Sequence, residues 1–187
     1  KVEGPIYIPR ADSGKEYDKP VDNTKSSYSK TSKKEKTKKD TSKGQNKTDS
    51  TKTYNGYQTR ETDGRGEMLI LEKPIRFAFE KYNITSDYNE SIKYVADYLK
   101  ENTNVRMVVE GHTDRVGPKE FNKGLSLKRS RAAITKLTRN GIKRDRLIPS
   151  GVNSRFLEYN LNRLNRRVEF IIIRSDEDLA NYINKVK

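Results

Sequence analysis

The chain has 187 residues and a net charge of +14, with 31% hydrophobic and 35% charged residues. So little apolar material excludes a chain packed end to end into cores. The absence of cysteine excludes a disulfide framework, a thiolate metal site and a cysteine nucleophile. No run of about 18 apolar residues is present to span a membrane as a helix. The chain begins at Lys1 rather than methionine, which points to processing or cleavage and leaves a lost signal peptide or lipid anchor open.

From Ser29 to Thr53 there is no hydrophobic residue. Such a segment cannot offset a backbone entropy of roughly 1–2 kcal/mol per residue by burial. Residues 1–64 are therefore expected to be an extended, basic, low-complexity tail, and residues 65–187 a folded domain. The tail's short anchors are "PIYIP" (Pro5–Pro9) and "YNGY" (Tyr54–Tyr57). Tyr7, Ile8, Tyr54 and Tyr57 are expected to contact a partner protein. The cluster "KKEKTKK" (Lys33–Lys39) has two readings: a contact for nucleic acid or anionic lipid, or a solvated linker. Its lysines lack interleaved aromatics or arginines, which favours the linker.

Beyond Met68 the pattern changes. "MLIL" and "IRFAF" read as β, interrupted by Pro74. Tyr88, Ile92, Val95 and Leu99 then fall on one stripe of an amphipathic helix, with Thr85, Ser86 and Asp87 supplying cap chemistry. "VRMVVEGH" (Val105–His112) reads as a strand. Gly117-Pro118 opens a second helix whose buried stripe is predicted at Phe121, Leu125, Ala132 and Leu137, and Asn140-Gly141 ends it. "RLIPSGV" and "RRVEFIIIR" read as two further strands, and a last helix spans about Asp176 to Lys187. The order β-α-β-α-β-β predicts an α+β fold, an α/β sandwich in which helices cover a mixed sheet.

Asp114 follows the end of the Val105–His112 strand, where such sheets expose functional groups. Asn122, Ser126, Arg129 and Ala133 share one face of the second helix. A carboxylate, a guanidinium, an amide and open helix N–H groups around one cleft would suit a ligand carrying both an ammonium and a carboxylate. The alternative is an internal Asp114–Arg129 salt bridge joining strand to helix. His112 is the only histidine, too few ligands for a hydrolytic zinc site, and no serine sits in a nucleophile turn. A structural histidine is expected, and neither a cofactor nor a metal.

These residues resemble the OmpA C-terminal-like, peptidoglycan-binding domain family, over roughly Met68 to Arg174. The resemblance rests on "IRFAFEKYNITSD", "VEGHTDRVGPKEFNKGLSLKRS", "NGIKRDRLIPSG" and "NRRVEFII", in that order and spacing. It implies a non-catalytic anchor that grips the diaminopimelate of the peptidoglycan stem. By the resemblance, Asp114 holds the ammonium, Arg129 the carboxylate, and Asn122 hydrogen-bonds the stem. Phe79, Glu80 (where aspartate is usual), Thr113 of the "GHTD" motif and Arg166 of the "NRR" segment complete the implied site. The implied location is the periplasmic side of the outer membrane of a Gram-negative bacterium, with an outer-membrane protein complex contacted through the tail. The alternatives are polyanion binding through the lysine-rich tail and, third, a cell-wall hydrolase.

Overall fold

The computed structural model describes residues 51–187, which build a six-stranded sheet with helices on both faces. The lysine cluster Lys33–Lys39 and the anchor holding Tyr7 and Ile8 lie outside the described residues. In chain order the elements are β1 (Thr51–Tyr54), β2 (Tyr57–Glu61), β3 (Glu67–Leu69), α1 (Asn89–Glu101), β4 (Arg106–His112), α2 (Lys119–Arg139), β5 (Leu147–Asn153), α3 (Asn162–Asn165), β6 (Val168–Ile173) and α4 (Asp176–Val186). The sheet order is β1-β2-β3-β6-β4-β5. Only β4 and β5 run parallel, because α2 carries the chain back between them.

Alternation along β4 and β6 divides the core. Met107, Val109, Phe170 and Ile172 face α1 and α2, while Val108, Ile171 and Ile173 face α4. Ile92, Val95 and Leu99 are buried as the helical stripe predicts, and Tyr88 packs at its edge. No side chain caps α1; a 3₁₀ turn over Ser86–Tyr88 leads into it instead. The segment "IRFAF" makes only one bridge, Arg76 to Arg167, rather than a strand, although Ile75 and Phe77 are buried.

The sheet starts earlier than residue 65. Asn55 and Gly56, with φ of 49° and 81°, form the two-residue turn of a β1–β2 hairpin. Tyr57 is 7% exposed, packs its ring on Tyr94 and Tyr98, and donates to Glu101 at 2.9 Å. It is a core residue here, not a free anchor, whereas Tyr54 is exposed.

α4 is closed by a capping box. Asp178 N–H donates to Ser175 Oγ at 3.1 Å, and Ser175 N–H donates to Asp178 Oδ2 at 3.0 Å. The helix docks Tyr182 and Val186 on the sheet. Ser175→Ala is expected to cost about 1 kcal/mol, read as a lower midpoint in urea unfolding with an unchanged slope.

Candidate functional site

α2 lies unusually close to the sheet, because two glycines face it. Gly111 of β4 and Gly151 of β5 are cross-strand neighbours. A Cβ on Gly111 would sit 1.9 Å from the Ser126 carbonyl oxygen, and one on Gly151 would sit 2.7 Å from Ser126 Oγ. The polar face carrying Asn122, Ser126, Arg129 and Ala133 is consequently buried along with Leu125 and Leu137 of the predicted stripe. Phe121, expected in the core stripe, is 48% exposed.

β4 delivers Thr113 and Asp114 to the rim of the sheet, both buried. Thr113 N–H donates to Asn153 O at 3.0 Å. The Asp114 carboxylate accepts from Val116 N–H at 3.1 Å and from Arg166 Nη1 at 2.8 Å. The alternative Asp114–Arg129 salt bridge is thus replaced by Asp114–Arg166. Arg166 also donates from Nε to Phe77 O at 3.0 Å, and its Nη2 has no partner among the described residues. Asn122 Nδ2 donates to Val116 O at 2.9 Å and so fixes the loop that leads from Asp114 into α2.

Arg129 is wholly buried, with its guanidinium 4.9 Å from the Phe77 ring. It donates to three carbonyls: Lys81 O at 2.9 Å, His112 O at 2.8 Å and Ala78 O at 3.3 Å. Two of its five donors remain, one on each terminal nitrogen. Burial and then the like charge of Arg166 push its pKa down to about 10, against the opposing pull of Asp114. Arg129 therefore clamps the turn 78–81, and that turn presents Phe79, 50% exposed, and Glu80 at φ 58°.

All seven residues expected at the site, Phe79, Glu80, Thr113, Asp114, Asn122, Arg129 and Arg166, line one pocket of about 170 Å³. The pocket also takes in Val116, Gly117, Pro118, Phe121 and Leu125. Asp114 and Arg129 are buried in it, while Glu80 and the apolar side chains of Phe79, Val116 and Phe121 are exposed around it. Sequence reasoning missed the Phe121 rim because its spacing also suits a core stripe.

Behind the pocket, on the α4 side of the sheet, lies a buried charged cluster. His112 Nε2 is 3.1 Å from Glu110 and 3.3 Å from Glu169. Glu110, His112 and Glu169 bring ligand atoms within 4.8 Å of one another, a spacing that suits a cation. Arg65 supplies that charge: its Nη1 pairs with Glu110 and, at 2.8 Å, with Glu169. Tyr182 donates to Glu110 at 2.8 Å, and Arg167 pairs with Glu169 at 2.5 Å. Burial opposes the charged form of His112, but the charge of Glu169 and the hydrogen bonds to Glu110 and Glu169 together outweigh it and its pKa is raised. The expected structural histidine is what the strand end holds.

The OmpA family model matches residues 76–163. Residues 76–163 are an OmpA family domain. The chain is 32% identical over 100 residues to a peptidoglycan-associated lipoprotein of Legionella pneumophila, covering 51% of this chain and 57% of that protein. It is 38% identical over 71 residues to outer membrane protein Omp38 of Acinetobacter baumannii, covering 38% of this chain and 20% of that one. It thus spans between a fifth and about three-fifths of these relatives. The periplasmic domain of Helicobacter pylori MotB superposes with a TM-score of 0.53 at 19% identity, over 73% of this chain and 95% of that one. The peptidoglycan-associated lipoprotein of Burkholderia pseudomallei does so with a TM-score of 0.51 at 22% identity, over 54% and 91%. At these identities the likeness is one of fold. The OmpA family domain is an α+β sandwich, and its pocket falls within the matched residues except for Arg166.

Proposed function

We propose that the chain is a non-catalytic peptidoglycan anchor, whose OmpA family domain grips the zwitterionic end of diaminopimelate in the stem peptide. The observation that carries this reading is the pocket in which Asp114, Arg129 and Arg166 converge beneath an apolar rim. An ammonium meets Asp114 and the Glu80 carboxylate. A carboxylate meets the unpartnered Nη2 of Arg166, with Arg129 adding positive potential from below. Phe79, Val116 and Phe121 cover the ligand's methylenes. Two relatives are named for association with peptidoglycan or for the outer membrane. By this reading the protein works on the periplasmic side of a Gram-negative outer membrane, and the segment that precedes β1 tethers it to an outer-membrane assembly. No helix of the described residues is long and apolar enough to cross a membrane.

Sedimentation with purified sacculi tests the reading. Asp114→Ala and Arg166→Ala are each expected to weaken binding by about tenfold or more, since a charge-assisted hydrogen bond is worth about 1.5–3 kcal/mol. The melting temperature of each variant separates lost contacts from lost folding. Undiminished binding by both folded variants would refute it.

A further inference from the structure

The outward face of α2 carries a run of cations that no described residue neutralises. Phe121, Lys128, Arg131 and Arg139 fall at i, i+7, i+10 and i+18, on one side of the helix, and all are exposed. Lys143 and Arg144, also exposed, continue the run past the helix end. From Lys119 to Arg144 there are nine basic residues and one acidic residue, Glu120. None of these cations forms a salt bridge with a described residue. On α1, by contrast, Lys93 and Lys100 both pair with Asp97. One of the α2 cations presses on the cation beyond the helix end: burial and then the like charge of Arg131 lower the pKa of Arg144. An uncompensated ridge of one sign opposes folding by self-repulsion and recruits an anion from outside.

The ridge is continuous with the pocket. Phe121 lines the pocket mouth and begins the ridge. Lys128 lies 5.6 Å from the ring of Tyr82, next to the turn that presents Glu80. With 21 residues, α2 is about 30 Å long, longer than one stem residue.

We propose that Lys128, Arg131 and Arg139 form a second contact for the wall polymer, an electrostatic track that binds free carboxylates of stems next to the one held in the pocket. This rests on the pocket reading above. The pocket supplies a stereospecific grip on one residue, and the track supplies a salt-sensitive attraction to a polyanion.

The test compares the intact chain with the triple variant Lys128→Gln, Arg131→Gln, Arg139→Gln, whose replaced side chains are all exposed. Binding to purified sacculi is measured at low and high salt, beside binding of a single soluble diaminopimelate tripeptide and of phosphatidylglycerol vesicles. The expected result is sacculus binding weakened about tenfold at low salt with a flattened salt dependence, and tripeptide binding unchanged. Sacculus binding equal to wild type at low salt would overturn the proposal. So would loss confined to the vesicles, which would make the ridge a membrane contact. Failure of the pocket reading shows separately, as a tripeptide that does not bind the wild-type chain at all.

Discussion

Replacing Arg65 by alanine is expected to destabilise the domain by about 3–5 kcal/mol, because it removes the cation that two buried carboxylates share. Glu110 is 0% exposed and Glu169 5%, and one guanidinium nitrogen serves both. Burial alone would raise the Glu169 carboxyl, but His112, Arg167 and Arg65 outweigh it and hold it well below the usual carboxylate range. A depressed carboxyl contributes stability that is present above its unfolded pKa and lost as pH falls through the folded value. The gap between wild type and Arg65→Ala is therefore expected to be widest near neutral pH and to narrow on acidification. Thermal unfolding reads this as a loss of about 10 °C or more at pH 7. Arg60→Ala is the control. Its pair with Glu158 is partly exposed, at 28% and 23%, so a change below about 1 kcal/mol is expected. Equal effects of the two substitutions would mean that the buried cluster is not what holds the segment before β3 in place.

The second large effect is expected at Gly111→Ala. The new methyl would meet the Ser126 backbone oxygen at 1.9 Å, a group that cannot rotate away. α2 must then lift from the sheet, at a cost in the upper part of the roughly 1–3 kcal/mol typical of overpacking. Ser130 Oγ, which donates to Val109 O at 2.6 Å, and Arg129, which donates to His112 O, would both be pulled from their partners. Loss of ligand binding should accompany loss of stability here. At Gly124, where nothing lies within 4 Å of an added Cβ, alanine should be neutral or slightly stabilising. Urea unfolding of the two variants side by side checks the contrast.

Much of this was legible before any coordinates. The α1 stripe, the Val105–His112 strand, the Gly141 stop after α2 and the seven pocket residues all follow from spacing or from the family resemblance. The β1–β2 hairpin was hidden because its alternation is built from polar residues: Tyr57 and Thr59 are buried while Gln58 is exposed. The Asn55-Gly56 turn was the available signal. The buried side of α2 was misjudged for a related reason. Leu125 and Leu137 of the predicted stripe are buried, but a helix pressed against two glycines also buries small and polar side chains, and Phe121 ends at the rim. The role of Arg65 was illegible, since nothing local to a Gly-Arg-Gly turn says that its guanidinium reaches acids 45 and 104 positions away.

The most direct measurement is a calorimetric titration of the intact chain with two stem tripeptides that differ only at the third residue. One carries diaminopimelate and the other carries lysine, which keeps the side-chain ammonium but lacks the second carboxylate. If Arg166 and Arg129 receive that carboxylate, the lysine peptide binds about tenfold or more weaker, and Arg166→Ala erases the difference. Equal affinity for the two peptides, or a difference that survives Arg166→Ala, would contradict the account.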